Sequence, residues 1–219
     1  MIPTTLYLVR HGAIIRVAGK SYIGQIDIPL NEEGVDQAWA LRKWLEPVRF
    51  SHVYSSDLSR AQRTSRIIAG TRVKSIESLP GLREISLGEW EGLSFREIED
   101  RFPEEYAARG RDIENWRPPG GESFADCRVR VMDALHGILD RSQGNVLVVG
   151  HAGVNRLILC HSLGIPISNL HSIGQDYGCV NVIEFSERRS RLKLLNYTPF
   201  LSRPVDQIDT AQRLRTAGR

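Results

Sequence analysis

The chain has 219 residues, of which 41% are hydrophobic and 25% charged, with a formal net charge of +3; this fits one medium-sized domain able to bury a sizeable core. So small a charge, with no run of Lys and Arg, argues against a nucleic-acid partner. No stretch approaches the ~18 apolar residues of a membrane helix, and the start, MIPTTLYLVRHG, lacks the basic opening and long apolar run of a signal peptide.

Residues 4–9 (TTLYLV) form an apolar, β-branched run that stops at Arg10-His11-Gly12, the pattern of a buried strand entering a loop. Asn31 is placed to cap a helix over 32–47, which has helical character through Val35, Ala38, Trp39, Leu41, Trp44 and Leu45 and is closed by Pro47. Trp39 and Trp44 on this helix are expected in core and interface packing rather than as a base-stacking platform. Residues 52–56 (HVYSS) predict a second strand, 57–70 a helix ended by Gly70, and 72–76 (RVKSI) a third strand. The stretch 80–121 differs in texture, with glycines, prolines, Trp90, Trp116 and short polar helical pieces; it reads as a partly helical insertion, not a separate domain.

A long amphipathic helix is predicted over 123–142, then the clearest buried strand (VLVVG, 146–150), then a helix over 152–164. Residues 179–197 read as a hairpin or a pair of edge strands about the charged turn ERRS, and 200–219 as a polar tail after a single domain spanning 1–199. Cys127, Cys160 and Cys179 lack C-x-x-C spacing and suit buried thiols in a reducing compartment, so a cytoplasmic location is expected.

Strands alternating with helices imply an α/β three-layer sandwich with a mainly parallel central sheet flanked by helices. In such sheets the active site lies beyond the carboxyl ends of the strands. Arg10-His11, Ser55-Ser56 and Gly150-His151 all fall at such ends, so three strands are expected to deliver polar groups to one rim.

A lone histidine after a strand is as often a satisfied structural residue as a functional one. His11, however, stands between Arg10, whose guanidinium has the fork geometry for phosphate oxygens, and Gly12, which permits close backbone approach to a ligand. His151 repeats the arrangement, with Gly150 before it and Ala152-Gly153 opening a helix whose N-terminus favours an anion. Arg60, on the first turn of the helix after the second strand, offers another guanidinium; Arg63 and Arg66 read as its solvated face. The segment LREISLGEWEG carries Glu84, Glu89 and Glu91, any of which could act as acid and then base. A zinc site from His151, Cys160, His161 and His171 is disfavoured, because its spacing matches no metal motif and positions 151 and 160 do not share a helix face.

Taken together, LVRHG, YSSDLSRA, LREISLGEWEG, PGGES and VVGHAGV resemble, in this order, the histidine phosphatase (phosphoglycerate mutase-like) superfamily from about Leu6 to about Leu163. An isolated RHG is a weak signal, whereas five ordered blocks on predicted strand ends are specific. The resemblance implies a phosphoglycerate mutase-like fold in which His11 is the phosphorylated nucleophile, Arg10, Arg60 and His151 form a cationic pocket, and Glu84 protonates the leaving oxygen and then activates water. Gly24 and Gln25 of the loop SYIGQIDIPL, with Ala152, are the further substrate-binding residues it implies, with no metal and no cofactor. Phosphoryl transfer needs positioning and charge stabilisation, which two arginines and a second histidine can supply. A neutral His11 and a cationic His151 would set a pH optimum.

The chain departs from the family's common pattern at Ala13, around Ile15–Val17 and at Ile23, positions that typically line the substrate side, so the resemblance does not carry a substrate with it. The short segment before the second histidine, with PGGES directly preceding the long helix, resembles the phosphatase branch, and the blocks look most like the alpha-ribazole phosphatases. Arg109 and Arg111 leave a phosphoglycerate mutase open, and a non-catalytic phosphate-binding protein of the same fold is the reading from another class. The expected partner is a small phosphorylated metabolite, with no nucleic acid and no membrane; a homodimer stays open.

Overall fold

The computed structural model describes residues 3–15, 21–186 and 189–200. The first strand, β1 (Thr4–Arg10), leads through a loop to helix α1 (Glu32–Trp44), whose first free N–H groups are met by Asn31: its side chain accepts from Gly34 N. Strand β2 (His52–Ser55), helix α2 (Ser59–Ala69) and the two-residue strand β3 (Glu77–Ser78) follow. Then come α3 (Phe95–Arg101), α4 (Pro103–Arg111), α5 (Phe124–Arg141), β4 (Gly144–Gly150), α6 (Ala152–Leu163), β5 (Val180–Ser186) and β6 (Arg189–Tyr197). The strands make one sheet in the order β3-β2-β4-β1-β5-β6. Its β3, β2, β4 and β1 pair in parallel, and β5 and β6 add antiparallel pairings on the other side, the hairpin read from residues 179–197.

Alternation along each strand sorts the core into two layers, as a sheet covered on both faces requires. Leu6, Leu8, Val146, Val148 and Ile183 face α5 and α6. Val9, Leu147, Val149, Val180 and Val182 face α1 and α2. These faces give the three-layer sandwich. Helix α5 starts with a capping box in which Ser123 and Asp126 satisfy each other's backbone N–H. The insertion is tied to the first layer: Trp90 and Ile98 are both fully buried there, and Trp116 packs on Trp90 at 4.7 Å.

Two expectations about the secondary-structure elements and the core fail. Residues 72–76 are not a strand but a bend, and the sheet edge shrinks to Glu77–Ser78. Arg72 explains this: its guanidinium donates to the carbonyls of Leu45, Ile68 and Ala69, which draws the chain across the ends of α1 and α2 rather than along β2. Trp39 and Trp44 are not core residues, being 52% and 37% exposed. The 3.6-residue period turns Gly34, Gln37, Ala38 and Leu41 inward and leaves both indoles on the outer side, where Trp44 rests on Tyr197 at 5.2 Å. The tail beyond Phe200, Arg16 and Val17, and Glu187 and Arg188 of the ERRS turn lie outside the described residues.

Candidate active site

The adjacent strands β1 and β4 run in parallel with Arg10 opposite Gly150, so the residues that follow them emerge side by side. His11 N donates to Gly150 O at 3.1 Å, and the His11 and His151 rings lie 5.0 Å apart. The turn after His11 is fixed by backbone packing. A Cβ on Gly12 would stand 2.3 Å from Gly34 O, and one on Gly34 would stand 2.0 Å from Ala13 O. Gly12 is thus bare because the first turn of α1 presses on it, not because a ligand does. Thr64 accepts from Gly12 N at 3.2 Å and Gln37 from Ala13 N at 2.8 Å, completing the clamp.

His11 is 4% exposed, and its Nδ1 lies 2.8 Å from Gly12 O. A carbonyl can only accept, so Nδ1 carries the proton and Nε2 holds the free lone pair. Burial, then the Arg10 and Arg60 charges, push the His11 pKa well below the usual histidine range. His151 is fully buried, and its Nδ1 accepts from Arg60 Nε at 3.3 Å, which places its proton on Nε2. That Nε2 has no partner among the described residues, and neither does the buried Nε of Arg10. Burial, His11 and the two arginines push the His151 pKa down as well. The expectation of a cationic His151 therefore gives way to a neutral ring that still presents an N–H.

Each arginine is braced yet keeps free donors. Arg60, 1% exposed, gives Nη1 to Ile26 O (2.6 Å) and Nη2 to Gly24 O (2.8 Å). Arg10 gives Nη1 to Gln175 O (2.5 Å) and lies over Tyr177, 3.8 Å from the ring centre. Glu84 comes from the insertion side to the N-terminus of α6. Both its oxygens accept from Gly153 N at 3.1 Å, and Oε1 also accepts from Ile85 N at 3.0 Å. Its rivals stand apart: Glu89 is exposed, and Glu91 Oε1 ties Gln25 N (2.9 Å) to Leu87 N (3.0 Å).

Arg10, His11, Arg60 and Glu84 line one cleft of about 250 Å³. Gly24 and Ala152 share its wall. Gln25 does not; its side chain braces Glu84 O at 3.0 Å from behind. Ser55 and Ser56, expected at the rim, are fully buried in local turn bonds to Ser56 O and Leu58 N. Arg109 lines the cleft, whereas Arg111, Arg63 and Arg66 are exposed. Cys160 is buried, His161 and His171 are exposed, and no group of three or more His, Cys, Asp or Glu among the described residues could hold a metal ion.

The sequence matches the histidine phosphatase superfamily (branch 1) over residues 6–198. The chain belongs to this superfamily. It is 31% identical over 192 residues to adenosylcobalamin/alpha-ribazole phosphatase of Escherichia coli (strain K12), covering 87% of this chain and 95% of that one. Metal-independent phosphoserine phosphatase of Arabidopsis thaliana is 36% identical over 216 residues, 93% of this chain and 88% of the other. The crystal structure of alpha-ribazole phosphatase from Shigella flexneri superposes with a TM-score of 0.82 at 30% identity, covering 89% and 96% of the two chains. This histidine phosphatase is accordingly a hydrolase of phosphoric monoesters with a phosphoglycerate mutase-like fold.

Several residues that shape the site of this histidine phosphatase escaped sequence reasoning. Arg156 lines the cleft from α6; it stands four residues past Ala152, and that same-face spacing was a usable signal. Tyr177 sits in an irregular loop and carries no such signal. Arg130 and Glu122, which hold the backbone on both sides of Glu84, are joined by a bidentate ion pair of two 2.7 Å bonds; from the sequence, Arg130 is one of several charges on an amphipathic helix.

Proposed function

We propose that this enzyme hydrolyses a small phosphorylated metabolite through a phosphohistidine on His11. The supporting observation is that two buried donors without partners among the described residues, Nε of the adjacent Arg10 and Nε2 of the neighbouring His151, accompany a histidine whose Nδ1 is tied down and whose Nε2 is free to attack. Buried donors of this kind cost free energy until an acceptor meets them, and phosphoryl oxygens supply three. In the first step His11 Nε2 forms a bond to phosphorus while the P–O ester bond breaks and Glu84 gives a proton to the departing oxygen. In the second, water attacks phosphorus, Glu84 takes its proton, the P–N bond breaks and phosphate leaves. Arg10 and Arg60 with the N–H of His151 stabilise charge on the equatorial oxygens, a task that cationic side chains can perform without a metal.

The reading includes no cofactor and a cytoplasmic location, which the unpaired buried thiols Cys127, Cys160 and Cys179 support. Alpha-ribazole phosphate and phosphoserine head the candidate substrates, because the relatives' names carry them. The test is phosphate release in EDTA from a panel including both esters, sugar phosphates, nucleotides and 3-phosphoglycerate, with His11→Ala alongside. Release that vanishes in the variant is expected. Release that persists refutes His11 as nucleophile, and no release from any ester refutes hydrolysis, with isomerisation of phosphoglycerate then marking a mutase.

A further inference from the structure

The outer part of the cleft holds a second group of cations that the phosphoryl grip does not use. Arg156 stands four residues past Ala152, the first residue of α6, which sets it ~6 Å further along the helix axis. It is half-buried and lines the cleft; its Nε donates to Ile173 O at 2.8 Å, and its terminal nitrogens have no partner among the described residues. Arg109 lines the same cleft from α4, its guanidinium 5.5 Å from the Tyr22 ring. His171, though its surface is largely exposed, has a ring partly desolvated by its surroundings; that desolvation, then the charges of Arg156 and Arg109, push its pKa down to about 4. No carboxylate among the described residues forms an ion pair with either arginine. The acid in the same cleft, Glu84, is committed to Gly153 N and Ile85 N.

Glu84 acts on Arg156 only at a distance and forms no ion pair with it, and a half-buried guanidinium without an ion-pair partner is held at a cost, which an anionic ligand group would offset. The phosphoryl group cannot be that ligand while Arg10, Arg60 and His151 hold it beside His11. We propose that Arg156, with Arg109 across the cleft, forms a second anion subsite, so that the preferred substrates are phosphate esters whose alcohol part carries an acidic group, a carboxylate in the smallest case. The planar fork of an arginine matches a carboxylate. This rests on the phosphatase reading above and deepens it, because it separates acidic esters such as phosphoserine from esters of uncharged alcohols.

The experiment uses substrate pairs that differ only in the acid: 3-phosphoglycerate against glycerol 3-phosphate, and phosphoserine against phosphoethanolamine. The wild-type enzyme is expected to favour the acidic member in kcat/KM by on the order of 10- to 100-fold, the range of a charge-assisted hydrogen bond. Arg156→Gln should shrink that preference to within about threefold, and Arg156→Lys should keep part of it. Loss of the Ile173 bond alone would lower both members of a pair equally, so the ratio reads the subsite and not the fold. No preference in the wild type, or a preference that survives Arg156→Gln, overturns the proposal. If the wild type turns over none of these four esters, the same ratio is read from calorimetric dissociation constants for 3-phosphoglycerate and glycerol 3-phosphate on His11→Ala, and the phosphatase reading is judged separately on the full panel.

Discussion

Arg130 reaches from α5 to grip the chain on both sides of Glu84, and removing it should cost activity in a way that depends on the leaving group. Its Nη1 donates to Gly81 O (3.0 Å) and Arg83 O (2.7 Å), and its Nη2 to Glu84 O (3.0 Å) and Glu122 Oε2 (2.7 Å). Glu122 in turn accepts from Ser86 N at 2.8 Å. Arg130→Met keeps most of the stem but strips every one of these bonds. The paired side chains are 24% and 23% exposed, so the loss belongs at the low end of the ~3–5 kcal/mol for breaking a buried pair. For a chain of this size, about 3 kcal/mol corresponds to a fall in Tm of roughly 6–12 °C. The consequence for catalysis is separate. A carboxyl group displaced by ~1 Å costs on the order of 10²-fold, and it does so only where a proton must reach the leaving oxygen. In rapid-mixing experiments the first-turnover rate on an alkyl phosphate should therefore fall about 10²-fold. On p-nitrophenyl phosphate, whose phenolate departs unprotonated, it should fall far less, leaving a burst before slow dephosphorylation. Equal losses on the two esters, or a lower Tm with both rates intact, would refute the idea that Arg130 positions Glu84.

Acid should destabilise the fold through its paired histidines. His11 faces Arg10, Arg60 and His151, while His151 faces His11, Arg60, Arg10 and Arg130, and both pKa values are depressed well below the ordinary one. Unfolding lets both rings take up protons near pH ~6.5. The stability they contribute is therefore fully present above about pH 6.5 and is lost as pH falls toward the folded values, by up to ~1.4 kcal/mol per histidine per pH unit. Denaturant midpoints between pH 7.5 and 5 should show this slope, and His151→Gln should reduce it; a flat profile in the wild type would contradict the assignment. Gly34→Ala reverses the usual gain of alanine in a helix. Its methyl would stand 2.0 Å from the Ala13 carbonyl oxygen, so a loss of at least ~1–3 kcal/mol is expected, with reduced kcat as the turn carrying His11 shifts. An unchanged Tm would show that α1 and this turn are not in fixed contact.

The cluster to which we assign the phosphoryl grip could be assembled from the sequence because it sits where position along the chain equals position in space. Arg10-His11 and His151 follow strands that happen to be neighbours, and Arg60 opens the helix after the next strand over. Glu84 was chosen over Glu89 and Glu91 by resemblance; the physical reason appears only in the fold, where Glu91 is spent joining Gln25 N to Leu87 N. Misreadings share a cause. Ser55 and Ser56 are at a strand end, but their hydroxyls close a local turn. Gly12 was assigned to a ligand, whereas its neighbour is Gly34, a contact that no local pattern announces. Residues 72–76 have strand composition, yet Arg72 ties them to two helix ends.

The leaving-group side was not legible, for a related reason. Its wall is assembled from segments far apart in sequence: Tyr22 and Ile23, Leu87 and Phe95, Arg109, and Phe124 with Arg156. The first two are fastened to each other by backbone bonds, Tyr22 N to Leu93 O at 2.9 Å and Gly92 N to Tyr22 O at 2.7 Å, which any side chain would permit. Backbone bonds leave no compositional trace, so the composition of either segment says nothing about the other. The proposed phosphoryl grip uses none of these side chains, and the strand ends that carry it are held by the sheet. Substitutions along the wall can thus change which alcohol is accepted while the transfer chemistry stays fixed, the separation of scaffold from site that a family with several named substrates requires.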